Sequence, residues 1–193
     1  MKDINQLRIR DLIERIARLN SADEWTDDLN PTQRAALSYL SQANRFSRAP
    51  SQVAEFMAAT RGTVSQTLKA LARKELISEI RSQLDRRWIS YDVTAKGKRI
   101  LNAPKAIDDA LLGLTPSTIS PLADGLEALL REALTLRGRK QFGLCKNCKY
   151  HKKGNPGGYC LLLEEKLKAE ETHQICHEFL APQDSAHAAT GNA

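Results

Sequence analysis

The stretch AEFMAATRGTVSQTLKALARKELI, residues 54–77, decides the fold. Val64, Leu68 and Leu71 recur at i, i+4 and i+7, which sets them on one face of a helix. The hydroxyl of Thr60 suits the cap of that helix, and the periodicity carries it to Lys74. A turn of about 100° per residue puts Gly62, Gln66, Lys69 and Arg73 on the opposite face. Thr63, Ser65 and Ala70 flank them, and Arg61 joins them in the first turn. This face is polar and basic, with short side chains near its start. It fits a DNA groove: Gln pairs with adenine, Ser and Thr donate or accept, and small side chains let the backbone approach. An ordinary surface helix is amphipathic too, so the neighbouring segments decide.

Upstream, Asn30-Pro31-Thr32 opens a helix that carries Ala35, Leu37 and Leu40. Pro31 suits its first turn, where no N–H is needed. A further helix is expected from Ser51, with Val53, Phe56 and Met57. Downstream of Leu76-Ile77 the period changes. Ile80 begins an extended segment and Gln83-Leu84-Asp85 marks a tip. Arg87 to Val93 alternates, with Ile89, Tyr91 and Val93 on one face, which predicts a β-hairpin. Thr94 caps one more helix, AKGKRIL, which Pro104 interrupts or kinks. A helix-turn-helix followed by a two-stranded hairpin is a winged helix. The fold class is therefore mainly α with a small β-hairpin wing. At the wing, one arginine of Arg86-Arg87 can pair with Asp85 while the other enters a minor groove.

The run from Asn30 to Leu101 resembles the MarR family of regulators. The resemblance rests on Asp85-Arg86-Arg87, on Thr94-Ala95-Lys96-Gly97 after the second strand, and on TRGTVSQTLKALARKELI. Val93 replaces the usual leucine before the threonine. Glu75 stands where many members have glycine, a departure that is tolerated if the turn is not left-handed there. The resemblance implies a triangular homodimer whose terminal helices interlock and whose winged helices straddle a palindromic site. It implies a transcription regulator, a repressor and not an enzyme. Duplex DNA would meet Arg61, Thr63, Ser65, Gln66, Lys69, Arg73, Asp85, Arg86 and Arg87. Many members release DNA on binding small aromatic acids or oxidising a cysteine. Neither site carries over by residue, since the winged-helix part holds no cysteine. A small-molecule or redox effector stays open.

Two apolar stripes lie outside the winged helix. Ile9, Leu12, Ile13, Ile16 and Leu19 form the first, before SADEWTDD breaks the pattern. Leu122, Leu126, Leu129, Ala133 and Leu136 form the second, on a long helix that opens at Thr115-Pro116 or at Ser120-Pro121. A second copy of the same helices is the simplest cover for both.

All four cysteines fall between Cys145 and Cys176, spaced C-x2-C-x11-C-x15-C. In a reducing compartment such a cluster reads as metal ligands before disulfides. Cys145 and Cys148 can reach one metal from a tight turn, and Gly154, Pro156, Gly157 and Gly158 let the chain fold back to Cys160. Lys146, Lys149, Lys152 and Lys153 offset the thiolate charge. The metal is zinc in a closed four-thiolate site or, alternatively, an iron–sulfur cluster, because the second half is not another C-x2-C knuckle. His151, His173 and His177 are substitute ligands.

The 193 residues divide into an N-terminal dimerisation helix (1–29), the winged helix (30–101), C-terminal dimerisation helices (102–140), a small metal-binding appendage (141–180) and a polar tail expected to be disordered (181–193). The net charge of +6 favours a polyanionic partner. No apolar run is long enough to cross a bilayer, and the N-terminus lacks the apolar core of a signal peptide. A cytoplasmic protein is expected. The run RGRKQFGLCKNCKYHKK, without an acidic residue, supports a second reading as an RNA- or protein-binding adaptor. A thiol oxidoreductase is disfavoured because Cys145 and Cys148 lack the helix and sheet context such enzymes use.

Overall fold

Asn30 stops the chain from entering α2 (Pro31–Gln42) unpaired: its side chain accepts the N–H of Gln33 at 2.9 Å, with Pro31 in the first turn. The computed structural model describes residues 3–23, 29–81, 89–103 and 105–182. Around α2 fold α3 (Pro50–Phe56) and α4 (Arg61–Arg73), then an antiparallel hairpin of β1 (Ile77–Arg81) and β2 (Ile89–Val93), then α5 (Ala95–Leu101). Leu37 and Leu40 of α2, Val53 of α3, and Val64, Leu68 and Leu71 of α4 are buried together with Leu76, Ile77 and Tyr91. This is a winged helix: a mainly helical unit with a small hairpin wing.

The wing differs from the sequence reading at its start. Its first strand begins at Ile77, not Ile80, because Ile77 lies in the core and pairs with Val93. On β2 the alternation holds, with Tyr91 buried and Ile89 and Val93 packed on the same core. Helix α3 begins one residue early, at Pro50, again with proline in the first turn. Residues 82–88 and Pro104 lie outside the described residues, and with them the expected tip and kink. So do residues 24–28 and the tail from 183.

Three helices stand outside this unit: α1 (Ile4–Asp23), α6 (Ala106–Leu112) and α7 (Pro116–Leu136). Of the two openings considered, Thr115-Pro116 is the start of α7, and Pro121 sits inside it. Helix α6 was not legible as a separate element. Ile9, Leu12, Ile13, Ile16 and Leu19 on α1 and Leu122, Leu126, Leu129 and Leu136 on α7 are exposed. Among the described residues, no helix is long and apolar enough to cross a membrane.

The C-terminal segment has little regular structure. Strand β3 (Gly143–Leu144) pairs with β7 (Ile175–Cys176), and β4 (His151–Lys152), β5 (Tyr159–Cys160) and β6 (Glu165–Lys166) form a small sheet.

Two backbone positions limit what the winged helix tolerates. Glu75 closes the turn after α4 with φ +58°. The turn is left-handed after all, and Glu75 occupies it at the steric cost that glycine avoids. Its carbonyl accepts the Thr94 hydroxyl at 2.8 Å, which ties that turn to the start of α5. Gly97 follows from the same junction. A Cβ there would collide with the Leu76 carbonyl oxygen and stand 2.8 Å from Val93 Cγ1. The T-x-x-G pattern thus records a close helix–strand approach. Glu75→Gly should raise stability by about 1 kcal/mol, and Gly97→Ala should lower it by about 1–3 kcal/mol. Denaturant unfolding of both variants checks this. A Gly97→Ala protein as stable as the parent would show that the junction relaxes freely.

Candidate nucleic-acid interface and thiol cluster

Helix α4 is fixed at its start. Ala58 adopts φ +54°, and the Ala59 N–H returns to the Ala54 carbonyl at 3.0 Å, so the chain turns sharply from α3 into α4. Thr60 Oγ1 then accepts the Thr63 N–H at 3.1 Å. Val64, Leu68 and Leu71 are buried, and so is Thr67, whose hydroxyl donates to the Thr63 carbonyl at 2.9 Å. On the other side, Arg61, Gly62, Thr63, Gln66, Lys69 and Arg73 are exposed and Ser65 is half-buried. A Cβ on Gly62 would meet only Thr60 Oγ1, at 3.9 Å. No internal contact there requires glycine, and the backbone stays open to the outside. The wing begins beside this helix, but Asp85, Arg86 and Arg87 lie outside the described residues.

Between α2 and α3 the chain makes a tightly bonded corner, residues 43–49. Asn44 Oδ1 accepts the Phe46 N–H at 3.1 Å and the Ser47 hydroxyl at 2.7 Å. The Tyr39 hydroxyl donates to the Ser47 carbonyl at 2.6 Å, and burial pushes that phenol well above its usual pKa. Gln52 accepts the Ala49 N–H at 2.8 Å and donates to the Phe46 carbonyl at 2.9 Å. Arg48 pairs with Asp92 on β2, and its carbonyl accepts the Tyr91 N–H at 3.2 Å. The corner therefore connects α2, α3 and the base of the wing.

The cysteine-bearing segment docks on this same corner. The Asn44 N–H donates to the Ile175 carbonyl at 2.9 Å, and the His177 N–H to Ser47 Oγ at 2.9 Å. The His177 ring lies 3.1 Å from Gln52 Nε2, and its burial lowers the imidazole pKa. Phe142 packs edge-on to Phe56 and Tyr39, at centroid distances of 5.3 and 6.1 Å. Arg45 Nη1 meets both carboxylate oxygens of Glu171 at 2.5 Å, while Nη2 donates to the Lys166 carbonyl at 2.9 Å. The Glu171 side chain is only 5% exposed, so it depends on that cation.

The four cysteines are free thiols; Cys145, Cys160 and Cys176 are buried and Cys148 is half-buried. Cys145 is hydrogen-bonded to Cys176 and lies within electrostatic reach of Cys160 and Cys148. Its proton stays on Cys145, which raises the Cys145 pKa and pulls the Cys176 thiol down to about 6. The Leu180 N–H points at Cys148 Sγ from 3.5 Å, and Asn44, Ser47 and the backbone of Glu178 surround Cys176. The sulfurs are gathered but not spread as ligands: among the described residues, no group of three or more His, Cys, Asp or Glu stands ready to hold a metal ion. Of the histidines, His151 Nε2 lies 3.0 Å from the Gly157 carbonyl, and His177 is engaged by Gln52 and Glu178. Sequence reasoning missed Asn44, Arg45, Ser47, Gln52 and Glu171. Their roles come from contacts over more than a hundred residues, as in the Arg45–Glu171 separation of 126, which no local spacing encodes.

Comparison with known proteins supports the fold. The MarR family model matches residues 27–87. No curated relative matches the chain. FabT of Streptococcus pneumoniae, solved in complex with DNA, is similar at 24% identity and TM-score 0.53, over 68% of this chain and 99% of that one. MepR of S. aureus, solved as a DNA complex, is similar at 20% identity and TM-score 0.52, over 68% and 99%. The regulator BldR of Sulfolobus solfataricus is similar at 21% identity and TM-score 0.52, over 68% and 99%.

The Arg45–Glu171 pair should hold the C-terminal segment to the corner. Arg45→Ala strands a buried carboxylate and should cost about 2 kcal/mol of unfolding free energy. Glu171→Ala in the Arg45→Ala background should cost little more. Additive losses in that double-mutant cycle would mean the two side chains do not act as a pair.

Proposed function

We propose that the chain is a sequence-specific regulator of transcription that binds duplex DNA as a homodimer on a palindromic site and acts as a repressor. The observation that carries this is the exposed face of α4. Arg61, Thr63, Gln66, Lys69 and Arg73 point outward beside an open Gly62 backbone, while the opposite face is locked into the core. Phosphate contacts from the cations would position the helix, and Gln66 would read a base edge. Asp85, Arg86 and Arg87 at the wing would add a minor-groove contact. The MarR model over this region and the DNA complexes of FabT and MepR support the same reading.

A homodimer fits the uncovered faces of α1 and α7. Soluble monomers rarely expose so much contiguous apolar surface. The side chains from Ile9 to Leu19 and from Leu122 to Leu136 would close against their copies. The four-cysteine segment would hold zinc or, alternatively, an iron–sulfur cluster, either as a structural centre or as a sensor of metal or redox state. The site of action would be the cytoplasm. The adaptor reading keeps its support in the basic run 137–153 and differs in its partner, RNA or protein.

Selection of binding sites from random duplexes, followed by footprinting, tests the main reading. A palindromic site should emerge, with half-sites about one helical turn apart. Gln66→Ala should relax base preference more than affinity. Arg87→Ala should cost about 1–3 kcal/mol. Affinity should fall steeply with salt. Binding with no preference for a duplex palindrome, or stronger binding to RNA, would sink this reading in favour of the adaptor. Light scattering should give a dimer that Leu126→Glu with Leu129→Glu disrupts. An unaltered assembly state would move the dimer interface elsewhere.

A further inference from the structure

The cysteine-bearing segment cannot be held together by its apolar contents. Among its described residues, Leu167 is the one fully buried aliphatic side chain, and its strands are two residues long. What it buries instead is sulfur: Cys145 is 4%, Cys160 7% and Cys176 4% exposed. Domains this small are held by a staple, either disulfides or a metal. The four thiols are free and face one another, so a metal centre is the staple their chemistry allows.

A second observation points to the same ligand. Asn44 is fully buried, and its Nδ2 has no hydrogen-bond partner among the described residues. The group beside it is Cys176. A neutral thiol is a poor acceptor for a buried amide, whereas a metal-bound thiolate is a charged one. The Leu180 N–H near Cys148 has the same orientation. The pocket is wired for thiolates. Each cysteine that coordinates gives up its proton, and the thiolate charge shared with the metal then meets these donors.

Cys176 lies against the corner that starts α3 and anchors the wing through Arg48. We propose that Cys145, Cys148, Cys160 and Cys176 bind one thiolate-ligated metal centre, zinc(II) or an iron–sulfur cluster, and that this centre clamps the DNA-reading corner. Metal loading then sets DNA affinity and leaves the dimer intact. The described contacts of the segment run to Tyr39, Asn44, Arg45, Ser47, Gln52 and Phe56 of the reading unit. The dimer would be made by α1 and α7. This clamp rests on the DNA-binding reading above.

The test uses the full chain purified without oxygen. Metal and sulfide content come first, then DNA affinity and light scattering before and after chelation, and after return of zinc(II) or of iron with sulfide. The expected result is one centre per chain, absent in Cys145→Ser and Cys160→Ser. Chelated protein should stay dimeric and helical but bind the selected duplex about tenfold more weakly, with recovery on reloading. A colourless zinc protein and a brown protein with iron and sulfide both support the clamp and identify its metal. Glu171→Gln isolates the coupling. It removes a negative charge, so direct attraction to DNA can only rise, yet loss of the Arg45 pair should weaken binding while metal is retained. Stoichiometric holoprotein whose affinity is unchanged by chelation overturns the clamp and leaves DNA binding standing. Loaded protein that prefers no duplex overturns the underlying reading. Failure of zinc(II) and of iron with sulfide to bind overturns the metal centre itself.

Discussion

One buried side chain joins the parts of this molecule. Asn44 is inaccessible to solvent, and each of its polar groups faces a different element. Its Oδ1 shapes the turn that leads into α3, its backbone N–H pairs with Ile175, and its amide nitrogen faces Cys176. Polar groups in a low-dielectric interior are costly to leave unpaired. Asn44 therefore constrains the corner and the C-terminal segment together. Arg48 extends the constraint to β2, and the packing of α3 on α4 extends it to the exposed polar face. A change in how the segment sits is felt at the start of the helix-turn-helix because little else separates them.

The other half of the architecture obeys a simpler rule. Helices α1 and α7 carry apolar stripes that the winged-helix core does not cover. Leu37, Leu40, Val64, Leu68 and Leu71 already close that core among themselves. An amphipathic helix whose apolar face is left in water gains little from folding, so its stability comes from what it packs on. Assembly and reading are thus handled by different surfaces. That separation is what allows a C-terminal centre to act on one without the other.

The parts legible in the sequence are those governed by local spacing. Val64, Leu68 and Leu71 dictate α4 and its opposite face, Thr60 and Thr94 announce their helices, and alternation through Tyr91 orients β2. Errors arose where tertiary packing overrides local pattern. Ile77 was absorbed into a turn because nothing nearby shows that it pairs with Val93. Glu75 argued against a left-handed residue, yet φ is +58° there, since the junction with Thr94 leaves the chain no other course. The cysteines were visible by spacing, whereas Arg45, Asn44 and Gln52 look like unremarkable loop and helix residues. Their partners lie near the far end of the chain. Only the folded arrangement joins Arg45 to Glu171 and Gln52 to His177.

A ligand shifts a conformational equilibrium only through contacts that differ between the states. Most contacts at the corner are indifferent to the metal: Arg45 meets Glu171 through its own charge, and Phe142 packs on Phe56 by shape. Asn44 is different, because the charge on Cys176 decides whether its amide has an acceptor worth having. A hydrogen bond to a charged group is worth about 1.5–3 kcal/mol, which corresponds to a tenfold or somewhat larger effect on an equilibrium. That is enough to bias the corner and too little to unfold the winged helix, which has its own core. Linkage then runs in both directions. Whatever the metal adds to DNA affinity through this contact, bound DNA must return as tighter retention of the metal.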